Sequence, residues 1–112
     1  MPNSDSNTPS QLSLLSKKPF LKGNLYALKV EGDSMIEEGI FDNDIIIAKK
    51  QSVADNGDMV VAIIDENEAT LKKFYVEKNK IKLQPANPKY EPIYRKDVEI
   101  RGVVVKIIRN FK

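Results

Sequence analysis

From Leu25 onward, no stretch of this chain carries an amphipathic helical period longer than a turn. Short runs of β-branched and aromatic residues recur instead, separated by turn residues. The pattern confines the chain to a mostly β fold with strands at short intervals, as in a barrel or sandwich. "LYALKV" (25–30), "DIIIAKK" (44–50), "DMVVAIID" (58–65), "EATLKKFYVEK" (68–78), "IKLQP" (81–85) and "VEIRGVVVKIIRNF" (98–111) are the predicted strands. "DMVVAIID" is apolar on both faces, as a buried strand is. "DENE" joins it to the next run as a hairpin, and "EKNK" forms the following turn. Gly102 inside the last run predicts a bulge or kink. "PANPKYEPIYRKD" (85–97) carries Pro85, Pro88 and Pro92, which confines it to loop or sheet edge. "MIEEGI" offers one turn of helix at most.

The 112 residues fit one domain. Residues 1–18 are rich in Ser, Asn and Pro and read as a disordered or loosely docked N-terminal segment. Within it, "QLSLLS" reads as a helical turn or an apolar plug against the domain. The β domain then occupies 19–112. Lys and Arg number 18 against 16 Asp and Glu, a net charge of +2. That is too slight a bias to bind nucleic acid or a membrane surface by bulk electrostatics. No pair of helical segments forms a helix-turn-helix, so direct DNA binding by this chain is not expected. No apolar run spans a bilayer and no signal-peptide pattern opens the chain, which predicts a soluble, cytoplasmic protein.

Cysteine and histidine are both absent. Disulfides, thiolate and imidazole metal sites, cysteine nucleophiles and a Ser-His-Asp triad are therefore excluded within the chain. A serine activated here needs a different base, and lysine is the known substitute. "GDSM" (32–35) is the place to look for such a serine. Gly32 permits a tight turn at the end of a strand, and backbone N–H groups in that turn can stabilise an oxyanion. Read alone, the tetrapeptide is more simply a plain Asx or Ser turn. In "ATLKKFY", strand alternation puts Thr70, Lys72 and Phe74 on one face and Leu71, Lys73 and Tyr75 on the other. Burial of Lys72 would lower its pKa and let it accept a proton, with Thr70 orienting the amine. A lysine snorkelling along the sheet is the plain alternative.

Taken together, these blocks closely resemble the C-terminal peptidase domain of the LexA and UmuD proteins, peptidase family S24, from about Leu25 to Phe111. "GDSM" resembles the family's nucleophile motif, "GIFDNDIII" its Gly-Ile-x-Asp-Gly-Asp run, and "NGDMVVAIID" the strand that follows. "ATLKK" resembles the Thr-x-Lys strand, "LQPANPKYEPI" the Leu-x-Pro-x-Asn loop, and "VEIRGVVVKIIRNF" the terminal strand.

The resemblance implies a LexA/signal-peptidase-like, β-barrel-like fold of short, highly twisted strands. It implies Ser34 as nucleophile and Lys72 as general base of a serine endopeptidase. Thr70 is the hydroxyl that positions Lys72, and Asp33 and Met35 support the serine on either side. Lys73 takes the place of a second, non-catalytic basic residue. The oxyanion would meet N–H groups of Asp33 or Ser34. No metal or other cofactor is implied. Implied partners are a second copy, paired through the C-terminal strand, and the RecA–single-stranded-DNA filament that triggers self-cleavage in the SOS response.

The chain departs from the family in its substrate. The five glycines follow Lys22, Glu31, Glu38, Asn56 and Arg101, so no Ala-Gly or Cys-Gly bond is present to be cut in cis. The chain then reads as a peptidase domain parted from a longer repressor, or as an idle remnant. It also reads as a short dimeric module, like processed UmuD, acting with a translesion DNA polymerase or a repressor.

Overall fold

The computed structural model describes residues 12–14, 23–65 and 68–109. It is built from eight strands: β1 (Leu12–Leu14), β2 (Leu25–Val30), β3 (Ile45–Lys49), β4 (Met59–Ile64), β5 (Glu68–Glu77), β6 (Lys80–Gln84), β7 (Ile93–Arg95) and β8 (Glu99–Ile108). One 3₁₀ turn, Ile36–Glu38, is the helical element among the described residues. It falls in "MIEEGI", where at most a turn was expected. Within the N-terminal segment, Leu12–Leu14 is a strand rather than a helical turn, pairing with β2 from Leu12↔Val30 to Leu14↔Leu28. The rest of residues 1–18 lies outside the described residues, as does the end of the last predicted strand from Asn110.

All pairings are antiparallel, in the order β1-β2-β3-β8-β4-β5-β6-β7. β1 nevertheless approaches β5, with four strands between them in that order, so the sheet curls into a half-barrel. β7 comes from the proline-bearing stretch and takes the edge position that prolines tolerate.

Curling buries both faces of the central strands. Val61 and Leu71 join Leu28, Val30, Met35, Ile40, Ile46 and Ala48 in one core. Val60, Ala62 and Ile64 join Phe74, Leu83 and Ile100 in another. The two cores draw alternate residues of β4, Met59 and Val61 to the first and Val60, Ala62 and Ile64 to the second, which explains why the strand is apolar on both faces. Complete burial of an Ile or Leu stabilises by roughly 1.5–3 kcal/mol.

β8 bends twice. Against β4 its register slips between Gly102 and Ile100, leaving Arg101 unmatched, and against β3 it slips between Lys106 and Val104. The first bulge sits where Gly102 predicted one. A side chain at 102 would run into the Tyr26 hydroxyl and lie 2.9 Å from the Lys49 carbonyl oxygen. The Tyr26 hydroxyl donates to Arg101 O at 2.9 Å, so it occupies the space that glycine leaves. No helix among the described residues is long and apolar enough to cross a membrane.

Candidate active site

β2 ends at Val30, and the chain turns through Gly32, whose φ of 99° is cheap only for glycine. Asp42 Oδ1 accepts from the Gly32 N–H at 2.7 Å, and Asn43 N–H donates to Val30 O at 2.8 Å. The turn therefore closes on the start of the next strand and delivers Ser34 inward. Ser34 is 4% exposed and Met35 is 2% exposed. Met35 packs into the first core and anchors the elbow by burial.

Lys72 comes from the middle of β5. It lies opposite Val60, and Thr70 lies opposite Ala62, both fully buried. Directly paired residues of an antiparallel sheet share a face, so the lysine stem runs over apolar strand. Lys72 is 2% exposed and Thr70 1%. The Lys72 amine lies 3.3 Å from Ser34 Oγ and donates to Thr70 Oγ1 at 2.7 Å. Burial lowers the Lys72 pKa from 10.5 to about 7, and the nearby Glu68 carboxylate only partly opposes the drop. Lys73 points the other way and pairs with Glu38 at 3.2 Å near the surface.

Ser34, Lys72 and Thr70 thus meet in one buried cluster although 38 residues separate the first two. Asp33 turns outward. Its carboxylate accepts from the Tyr90 hydroxyl at 2.6 Å and from Lys89 Nζ at 3.4 Å. The Tyr90 bond is the main reason its pKa falls below the usual carboxylate value.

The loop between β6 and β7 supplies contacts that no residue pattern assigned. Ala86 N–H donates to Ser34 O at 2.7 Å, and Glu37 N–H donates to Ala86 O at 2.8 Å. Asn87 Nδ2 donates to Asp33 O at 2.8 Å. The proline-rich block "LQPANPKY" was the only signal for this loop, and it carries no hint of its partner. Among the described residues, no cluster of carboxylates is placed to hold a metal ion.

Chemically, the cluster offers a hydroxyl, an amine that is half neutral near pH 7, and a second hydroxyl that fixes the amine. A buried lysine shifted toward neutrality beside a buried serine is an arrangement suited to proton transfer.

Comparison with known proteins identifies the family. Residues 3–105 match the family described as peptidase S24-like. The chain is 60% identical over 85 residues to the LexA repressor of Caldicellulosiruptor saccharolyticus, covering 76% of this chain and 42% of that protein. It is 57% identical over 87 residues to the LexA repressor of Acetivibrio thermocellus, covering 77% and 40%. It is 49% identical over 87 residues to that of Staphylococcus aureus strain Newman, covering 78% and 42%. The chain spans about two fifths of the length of the relatives it matches. A family match across nearly the whole chain carries the assignment: the chain belongs to the peptidase S24-like family of serine peptidases.

Proposed function

We propose that this domain cleaves a peptide bond with Ser34 as nucleophile and Lys72 as general base. The observation that carries the reading is the Lys72 amine, buried, shifted toward neutrality, and 3.3 Å from Ser34 Oγ. The neutral amine takes the Ser34 proton as Oγ bonds to the substrate carbonyl carbon. Backbone N–H groups of the elbow receive the resulting oxyanion. The intermediate collapses as the Lys72 ammonium returns its proton to the leaving amine, and the Ser34 ester remains. Water, deprotonated by Lys72, then attacks the ester and frees the second product and Ser34.

The substrate in this reading is a small-residue–Gly bond on a separate or extended polypeptide, since no Ala-Gly or Cys-Gly bond lies in the sequence. Similarity to proteins named LexA repressor supports a role as the peptidase part of a repressor in the DNA-damage response. Triggering by a RecA–single-stranded-DNA filament belongs to the same proposal. So does a homodimer through β8, which is supported by the exposed Val105, Ile107 and Ile108. Relatives named as repressors favour this reading over a module for a translesion polymerase.

The test is cleavage in trans. The protein is mixed with an Ala-Gly linker peptide at alkaline pH and products are followed by mass spectrometry. The expected product is lost in Ser34→Ala. Folded wild-type protein that yields no product sinks the reading.

A further inference from the structure

Two carbonyl groups of the nucleophile elbow are held by one segment of the β6–β7 loop. Asn87 Nδ2 donates to Asp33 O at 2.8 Å, and Ala86 N–H donates to Ser34 O at 2.7 Å. A trans peptide unit is planar, with its C=O and N–H pointing in opposite directions. Holding Asp33 O therefore fixes the direction of the Ser34 N–H. Holding Ser34 O likewise fixes the Met35 N–H. Among the described residues, neither N–H meets an acceptor. Unpaired N–H groups beside buried side chains are rare, and here they flank Ser34, which is itself buried.

The Asn87 amide is itself fixed at both ends. Its Oδ1 accepts from the Lys89 N–H at 2.9 Å, which leaves Nδ2 facing Asp33 O. We propose that Asn87 is a positioning residue for the oxyanion site: it sets the plane of the Asp33–Ser34 peptide and so aims the Ser34 N–H at the developing charge. The inference rests on the Ser34 peptidase reading. Asp33 O also accepts a longer local turn bond from the Ile36 N–H at 3.3 Å, and the Asn87 contact, spanning 54 residues of sequence, adds the shorter, tertiary hold.

The test uses the full chain with Asn87→Ala and Asn87→Asp. Asn87→Asp keeps the acceptor for the Lys89 N–H, and with it the loop, but sets a carboxylate oxygen against Asp33 O. Two rates are measured: cleavage of the Ala-Gly peptide across pH, and modification of Ser34 by a fluorophosphonate probe, which needs no peptide. The expected result is a plateau kcat lowered about tenfold to a hundredfold in both variants, with KM within about twofold. The pH midpoint stays at the wild-type value and probe labelling slows in parallel. A merely structural role would move the thermal midpoint and the pH midpoint instead.

Folded variants with kcat within about threefold of wild type overturn the inference. A change confined to KM, or a displaced pH midpoint, overturns it as well. Wild-type protein inert to both peptide and probe overturns the peptidase reading, and this inference with it. Active wild type with unaffected variants overturns this inference alone.

Discussion

Thr70 Oγ1 accepts a hydrogen bond from the Lys72 amine at 2.7 Å, two residues away along the same strand. In the neutral amine this engages one N–H and leaves the lone pair free for Ser34 Oγ, 3.3 Å away. In the proposed mechanism Thr70 orients the base as well as filling space. Thr70→Val keeps the shape and removes the acceptor. Expected is a fall in kcat of about tenfold with KM unchanged, as for a misoriented catalytic group. Steady-state peptide cleavage measures it, and an unchanged kcat would reduce Thr70 to packing.

In the proposed mechanism the base works only when uncharged, so the cleavage rate is expected to follow the neutral fraction of Lys72. It climbs about tenfold per pH unit below the folded pKa and levels off above about 7. Lys72→Ala lowers the plateau by about 10²–10⁴-fold. Lys73→Ala breaks only a near-surface pair with Glu38 and changes the rate by less than about threefold. Rates measured from about pH 5 to about pH 10 check all three. A flat profile, or a larger loss in the Lys73 variant, contradicts the assignment.

The same burial has a cost in stability, and its sign differs from the usual carboxylate case. The folded protein releases the Lys72 proton near pH 7, whereas the unfolded chain holds it up to about 10.5. Between those values the unfolded state binds more protons, so stability rises with pH across that window. A tenfold change in proton affinity is worth about 1.4 kcal/mol, which sets a ceiling of roughly 5 kcal/mol. Lys72→Met removes the penalty. It is expected to stabilise the protein by a few kcal/mol at neutral pH, with the gain fading toward pH 10.5. Urea unfolding at several pH values measures this, and a pH-independent difference would mean that the amine is not desolvated.

Much of this architecture is legible in the chain, for identifiable reasons. "VVAII" declares a strand buried on both faces, and the curl of the sheet supplies the two cores that receive it. Strand alternation separates Lys72 from Lys73, and the structure sends them to opposite sides, one to Ser34 and one to Glu38. β7 is hidden because three residues beside prolines carry too little pattern to show a strand. The grip of Ala86 and Asn87 on the elbow is hidden for another reason. It is made largely by backbone groups, which every residue shares, between segments far apart in sequence. Strand identity is local information, whereas the register of a loop against an elbow is tertiary.

Asp44 is buried and is held by three donors. Arg109 reaches its two oxygens at 2.8 and 2.7 Å, and the Phe41 N–H donates at 2.8 Å. Arg109 also donates to Gly39 O at 2.6 Å and lies over the Phe41 ring, so it ties the end of β8 to the loop after the elbow. The Arg109 bonds are the main cause of the lowered Asp44 pKa. The contribution is therefore present above the unfolded carboxylate value of about 3.9 and is lost as pH falls through the folded one. Asp44→Asn is expected to cost roughly 2–3 kcal/mol at neutral pH and much less in acid. Chemical unfolding at the two pH values checks it.

The pairing of Tyr26 with Gly102 makes a last prediction, this one about why β8 carries a glycine. The Tyr26 hydroxyl fills the volume a β-carbon at 102 would take, while donating to Arg101 O at 2.9 Å across the bulge. Gly102→Ala is expected to destabilise by about 1–3 kcal/mol, because the hydroxyl must leave and its bond is lost. Tyr26→Phe alone loses the bond but no packing, at about 1 kcal/mol. In the double variant the hydroxyl is no longer there to be displaced. Its cost is then smaller than the sum of the single variants by about 1 kcal/mol. Relief is incomplete because the Lys49 carbonyl oxygen, 2.9 Å from the added carbon, belongs to backbone and cannot swing away. A double-mutant cycle by urea unfolding reads the coupling directly. Strict additivity would mean that Gly102 is kept for the bend of the strand and not for the tyrosine.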